Sequence, residues 1–118
     1  MKLLNKKEFL KLPEGTMYFE KPKEENACYF GNLCVKGESL SSYDFYEIDL
    51  INPDLSPVFN EQYWESFERL DKGETLKIDF NYGGRNGMYD DTDMYYVLDK
   101  EDVKSLLDVI TEAYNSYK

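Results

Sequence analysis

The sequence predicts an α+β fold: a single twisted, mostly antiparallel sheet of about five strands with three helices covering one face. The expected order is α-β-β-β-α-β-β-α, in a single domain over residues 1–118. Three observations carry this expectation. Apolar residues recur at helical spacing in stretches that open on capping residues. Between those stretches the apolar period drops to two. The alternation is clean, so one sheet face is expected to be wet, which favours antiparallel pairing.

The first helix opens on Asn5, with Glu8 at the third position of an N-x-x-E capping box, Leu4 and Phe9 at staple spacing, and Pro13 as the stop. Strands follow over 15–20, 28–36 and 44–50, rich in aromatic and β-branched residues. In the last of these Tyr46, Ile48 and Leu50 are expected inward, and Phe45, Glu47 and Asp49 outward. A second helix is expected from the cap Asn60 and the staple Phe59–Trp64 to Gly73, with Tyr63, Trp64, Phe67 and Leu70 as its apolar stripe. Residues 75–82 alternate again, with Leu76, Ile78, Phe80 and Tyr82 on one face and Asp79 on the other. A strand over 94–98 leads to the third helix, capped by Asp99 with Asp102 at the box position. Its stripe is Val103, Leu106, Leu107, Ile110, Ala113, Tyr114 and Tyr117.

Composition bounds the function. An apolar fraction of 42% is too rich for a disordered chain of 118 residues. The absence of histidine removes Ser-His-Asp and Cys-His nucleophiles and the His-containing zinc sites. No apolar run reaches the roughly 18 residues of a membrane span, and the N-terminus has no signal-peptide core, so a cytoplasmic protein is expected. Residues 1–36 hold 7 Lys against 5 Glu, net +2; residues 37–118 hold 7 basic against 19 acidic residues, net −12. A net charge of −10 argues against direct nucleic-acid binding. Cys28 and Cys34 lack C-x-x-C spacing and are expected to be two reduced, buried thiols.

The segment from 82 to 93 is the most chemically loaded. Gly83, Gly84 and Gly87 surround Arg85, and Tyr89, Asp90, Asp91 and Asp93 follow. Three readings stand open. The glycines make a hairpin turn while Arg85 pairs with a nearby acid; or the glycine amides and Arg85 cradle an anion such as a nucleotide phosphate; or Asp90, Asp91 and Asp93 hold a divalent metal with Asp79. No phosphate-loop or calcium-loop pattern is present. Glu47, Asp49 and Asp79 are expected on one solvated, negatively charged sheet face, with an acid/base pair among them as the catalytic alternative. Of the 11 tyrosines, Tyr18, Tyr29, Tyr46, Tyr82 and Tyr96 fit core positions. Tyr43, Tyr63, Tyr89, Tyr95 and Tyr117 are expected to be partly exposed, where they offer stiff contact area.

The run from Glu8 to Tyr18, that from Cys28 to Gly37, that from Gly84 to Asp90 and the helix opening Glu101-Asp102-Val103 together resemble a group of small phage- and prophage-encoded proteins of unassigned function. The shared features are punctuation and packing, so the resemblance carries over no catalytic residue. It implies a bacterial cytoplasmic setting and an accessory role such as interference with a host defence system.

The sequence therefore reads as a non-enzymatic interaction protein, without cofactor, that binds a basic surface of a host macromolecule. Glu47, Asp49, Asp79, Asp90, Asp91 and Asp93 would stand in for phosphates, with helix acids Glu61, Glu65 and Glu68. Arg85, Tyr89 and Tyr95 would add contacts. The second reading is a small-ligand or nucleotide binder using the 83–87 loop and Arg85; the third is a metal-dependent hydrolase.

Overall fold

The computed structural model describes residues 1–41, 43–51, 63–81, 83–88 and 90–118. Six strands form one antiparallel sheet: β1 (Lys2–Asn5), β2 (Met17–Glu20), β3 (Leu33–Ser39), β4 (Phe45–Asp49), β5 (Gly83–Arg85) and β6 (Met94–Val97), in the spatial order β1-β6-β2-β3-β4-β5. The helices are α1 (Lys6–Phe9), α2 (Tyr63–Asp71) and α3 (Lys100–Ser116). The α+β class stands. The chain order gains one strand, β1, and β5 stands in place of the strand expected over 75–82; both are too short to show a period in sequence.

Asn5 ends β1 and caps α1: its side chain accepts the Glu8 backbone N–H at 2.9 Å. That single turn drops Phe9 onto the sheet. The core is Phe9, Tyr18, Cys34, Phe45, Tyr95 and Val97, with Leu4, Leu10 and Leu12 packed against it. Phe9 is its hub, stacked on Tyr95 with centroids 4.0 Å apart and edge-on to Tyr18 and Phe45. Two buried lysines border this core. Lys36 donates to Gly37 and Ser39, while the Lys6 ammonium lies 3.6 Å from Asp93.

Several expectations are corrected. In β4 the faces are exchanged: Phe45 is fully buried and Tyr46 is exposed. A bulge between Lys36 and Ser39 sets that register, and one residue of slip exchanges every side chain's face. Tyr29 is likewise exposed rather than in the core, and Tyr95 is buried rather than exposed. Residues 75–81 form no ladder strand, and Ile78 and Phe80 are exposed, because Gly83–Arg85 takes the β4 edge instead. Cys34 is buried as expected, whereas Cys28 precedes β3 and is exposed. Phe59, Asn60, Glu61, Tyr82, Tyr89 and the side chain of Tyr63 lie outside the described residues.

The helices do not cover a face together. Only α1 makes more than marginal contact with the sheet among the described residues. Gly73, at φ +87°, ends α2 as expected, its N–H donating to Leu70 O. Yet the stripe residues Trp64, Phe67 and Leu70 are exposed. The capping box of α3 is complete, Asp102 N donating to Asp99 at 2.9 Å and Asp99 N to Asp102 at 3.0 Å. No residue of α3 is buried.

Candidate functional site

Two regions combine functional side chains: a polar recess on the core face of the sheet, and the uncovered faces of the helices.

The 83–87 loop does build an anion cradle, and the chain fills it from within. Arg85 donates to Asp44 Oδ2 through Nε at 2.8 Å and through Nη2 at 2.6 Å, and Gly87 N donates to Asp44 Oδ1 at 2.8 Å. Gly87 takes a left-handed φ of +69°, which a residue with no Cβ adopts without strain. Asp44 has no exposed surface, and its carboxyl is held below the usual range, first by the Gly87 amide and also by Arg85. Of the hairpin reading only the ion pair stands, and its acid is 41 residues away; Gly83 and Gly84 lie in β5, and the loop leads to β6, which is not a neighbour of β5 in the sheet.

The three aspartates after the loop do not gather on one ion. Asp90 is paired with Lys23 and bonded to Thr92, which holds its carboxyl well below the usual carboxylate range. Asp93 meets Lys23 at 3.0 Å and Lys6 at 3.6 Å. Asp91 is exposed at a different cavity, lined also by Lys6, Lys7 and Lys11. Asp79 caps a local turn by accepting the Asn81 N–H at 2.8 Å. The metal reading built on these four residues has no geometry to support it.

Glu47 and Asp49, expected outward, instead stand on the core face. Tyr18 Oη donates to Glu47 Oε2 at 2.5 Å, Asn86 Nδ2 reaches both Glu47 oxygens at 3.3 Å, and Asn32 Nδ2 donates to Asp49 at 2.9 Å. Beside them are Glu20 of β2 and Cys34 of β3. Donor atoms of Glu20, Cys34 and Glu47 all lie within 4.8 Å of one another. Partial burial, then Glu47, Asp49 and Asp93, push Glu20 up to about 7. Burial chiefly raises the Cys34 thiol, with Glu47 next. Tyr95, on β6 directly opposite Glu20, is raised by burial and then by Asp93 and Glu47.

So the structure brings together Glu47, Asp49, Asp93 and Tyr95 from the expected site, and leaves Asp79, Asp91 and Arg85 elsewhere. The residues missed by sequence reasoning are Glu20, Cys34, Tyr18 and Asp44. Glu20 and Tyr18 do share parity on one strand, but only the register with β3 and β4 shows what faces them.

One pH dependence follows. Glu20 titrates higher in the fold than the ordinary 4.5, so the protonated form is the one folding favours. Its contribution to stability is present below the ordinary value and is lost as pH rises toward about 7. With EDTA present, Glu20→Gln should therefore melt progressively higher than the parent between about pH 5 and about pH 8. A gap in melting temperature that does not change with pH would contradict this.

The second region is helical. Along α3, Leu107 is 57% exposed, Ile110 54%, Tyr114 75% and Tyr117 82%. They fall on one side at helical spacing, and Glu101, Asp108 and Glu112 fall on the other. No helix among the described residues is long and apolar enough to cross a membrane. No known family, curated protein or solved structure matches this chain.

Proposed function

We propose that this protein is a non-enzymatic interaction module that lays the apolar face of α3 into a groove on a basic partner protein. The observation that carries the reading is a 17-residue amphipathic helix with no buried residue. In proteins most helical stability comes from packing an amphipathic face rather than from propensity. Here the sheet supplies little of that packing, so a partner is the natural source. Helix-in-groove binding uses this pattern of anchors, i, i+3, i+4, i+7. The partner is basic because the chain carries −10: opposed charge speeds encounter, and two copies of this chain repel. On the resemblance to phage proteins, that partner is a host defence macromolecule and binding inhibits it. The carboxylates at 47, 49, 90 and 93 are bonded within the chain, so the helical faces, more than a phosphate-like array, carry this reading.

The test is photo-crosslinking in bacterial cells with a benzophenone amino acid placed singly along α3. Adducts of one mass at 107, 110 and 114, none at 101, 108 and 112, and a yield that falls with added salt are expected. Face-independent or salt-indifferent adducts would overturn the proposal. So would a homodimer in sedimentation that Leu107→Glu/Ile110→Glu dissolves, since the groove would then belong to a second copy.

A further inference from the structure

Three neighbouring strands each deliver one donor to the same point on the core face: Glu20 from β2, Cys34 from β3 and Glu47 from β4. We propose that these residues form a site for a borderline-soft divalent cation of the zinc class, with the Tyr95 hydroxyl completing its polar wall.

Clustered acids alone do not make a site, and the second observation is Tyr95. Its side chain is only 2% exposed, and its hydroxyl has no hydrogen-bond partner among the described residues. A buried hydroxyl left unpaired is costly, and such a group marks a place where another species belongs. Tyr95 stands opposite Glu20 in the β2–β6 ladder, so it faces the same side. Tyr95 and Glu20 also line the same cavity.

Charge points the same way. Among the described residues no hydrogen bond or ion pair reaches the Glu20 carboxylate, though Glu47, Asp49 and Asp93 all bear on it. The lysines are held by other groups: Lys6 by Asp93, Lys23 by Asp90 and Asp93, Lys36 by Gly37 and Ser39. A cation would relieve this repulsion directly.

The donor set selects the metal. One thiolate with two carboxylates suits zinc or cobalt, whereas magnesium and calcium want oxygen alone. Ligands around a tetrahedral zinc sit roughly 3.3–3.7 Å apart, given bonds of about 2.0–2.3 Å. Metal binding would draw the three donors, now within 4.8 Å of one another, together to that spacing. On one side of the cluster, Glu20 borders a cavity of about 350 Å³ lined also by Asp93, Tyr95 and Asn86. On binding, the sulfur–metal bond forms as the Cys34 proton passes to solvent, so affinity rises with pH.

The test is titration of the EDTA-treated, reduced protein with zinc chloride by calorimetry, and with cobalt chloride by absorption. One cation per chain, a rise in melting temperature and a thiolate-to-cobalt charge-transfer band are expected. Glu20→Gln should weaken zinc by at least about tenfold, the loss that even a supporting residue produces. Cys34→Ser should abolish the band, and Cys28→Ser, at the exposed thiol, should keep it. Because Cys34→Ser alters the core, Glu20→Gln on the open side is the variant whose folding is secure. No band in the parent, a band lost in Cys28→Ser but kept in Cys34→Ser, or magnesium binding as tightly as zinc would each overturn the proposal. None of these outcomes bears on α3, so this site and the docking face stand or fall separately.

Discussion

Phe9→Ala is expected to cost about 4 kcal/mol of folding stability, in the range of fully buried aromatic truncations. Phe9 has no exposed surface and touches three other buried rings: Tyr95, Tyr18 and Phe45. Removing its ring opens a void at the centre of the core cluster, which among the described residues has six buried members. Such a small cluster has few neighbours able to collapse inward, so relaxation recovers little. Against a typical total of about 5–15 kcal/mol, this is a large share. Urea unfolding followed by tyrosine and tryptophan fluorescence measures it. A loss under about 1 kcal/mol would mean that the packing which matters lies elsewhere.

Asp44→Asn is expected to cost about 3 kcal/mol near neutral pH, since it removes a fully buried charge that accepts three hydrogen bonds, two of them from Arg85. Asp44 ties the start of β4 to the 83–87 loop, so the substitution frees both the loop and β5. The Asp44 carboxyl titrates below its ordinary 3.8 in the fold. Its stabilisation is therefore full above that value and is lost as pH falls through the lowered one. The difference between parent and variant should accordingly narrow when the urea transition is repeated at about pH 3. Arg85→Ala should cost less than Asp44→Asn, because the Arg85 side chain is 53% exposed and Gly87 still serves the carboxylate. Equal stability of Asp44→Asn and parent at neutral pH would contradict the cradle.

The parts of this fold legible in the sequence are those set by local chemistry. The Asn5 cap, the Asp99–Asp102 box and the Gly73 stop depend on residues within a few positions of one another, and all three form. Four of the five expected strands exist for the same reason. What pattern could not reach is what depends on register and on partners. The face of β4 turned on a bulge between Lys36 and Ser39, and with it went the placement of Glu47 and Asp49. Residues 75–82 alternate as a strand does, yet alternation shows only a two-sided surface, not that a neighbouring strand accepts it. The Arg85 partner lies 41 residues upstream, and nothing around Asp44 in sequence marks it for that role. The apolar stripe of α3 was fully legible; that the sheet leaves it uncovered was not, because an amphipathic pattern shows that a face wants burial without saying what buries it.

Chemical unfolding of Leu107→Glu/Ile110→Glu, measured on the isolated protein, tests most directly whether that face is free. Both side chains are more than half exposed, so stability should stay within about 0.5 kcal/mol of the parent, as for ordinary surface substitutions. A loss of several kcal/mol would show that α3 packs against its own chain, and the docking face would not exist.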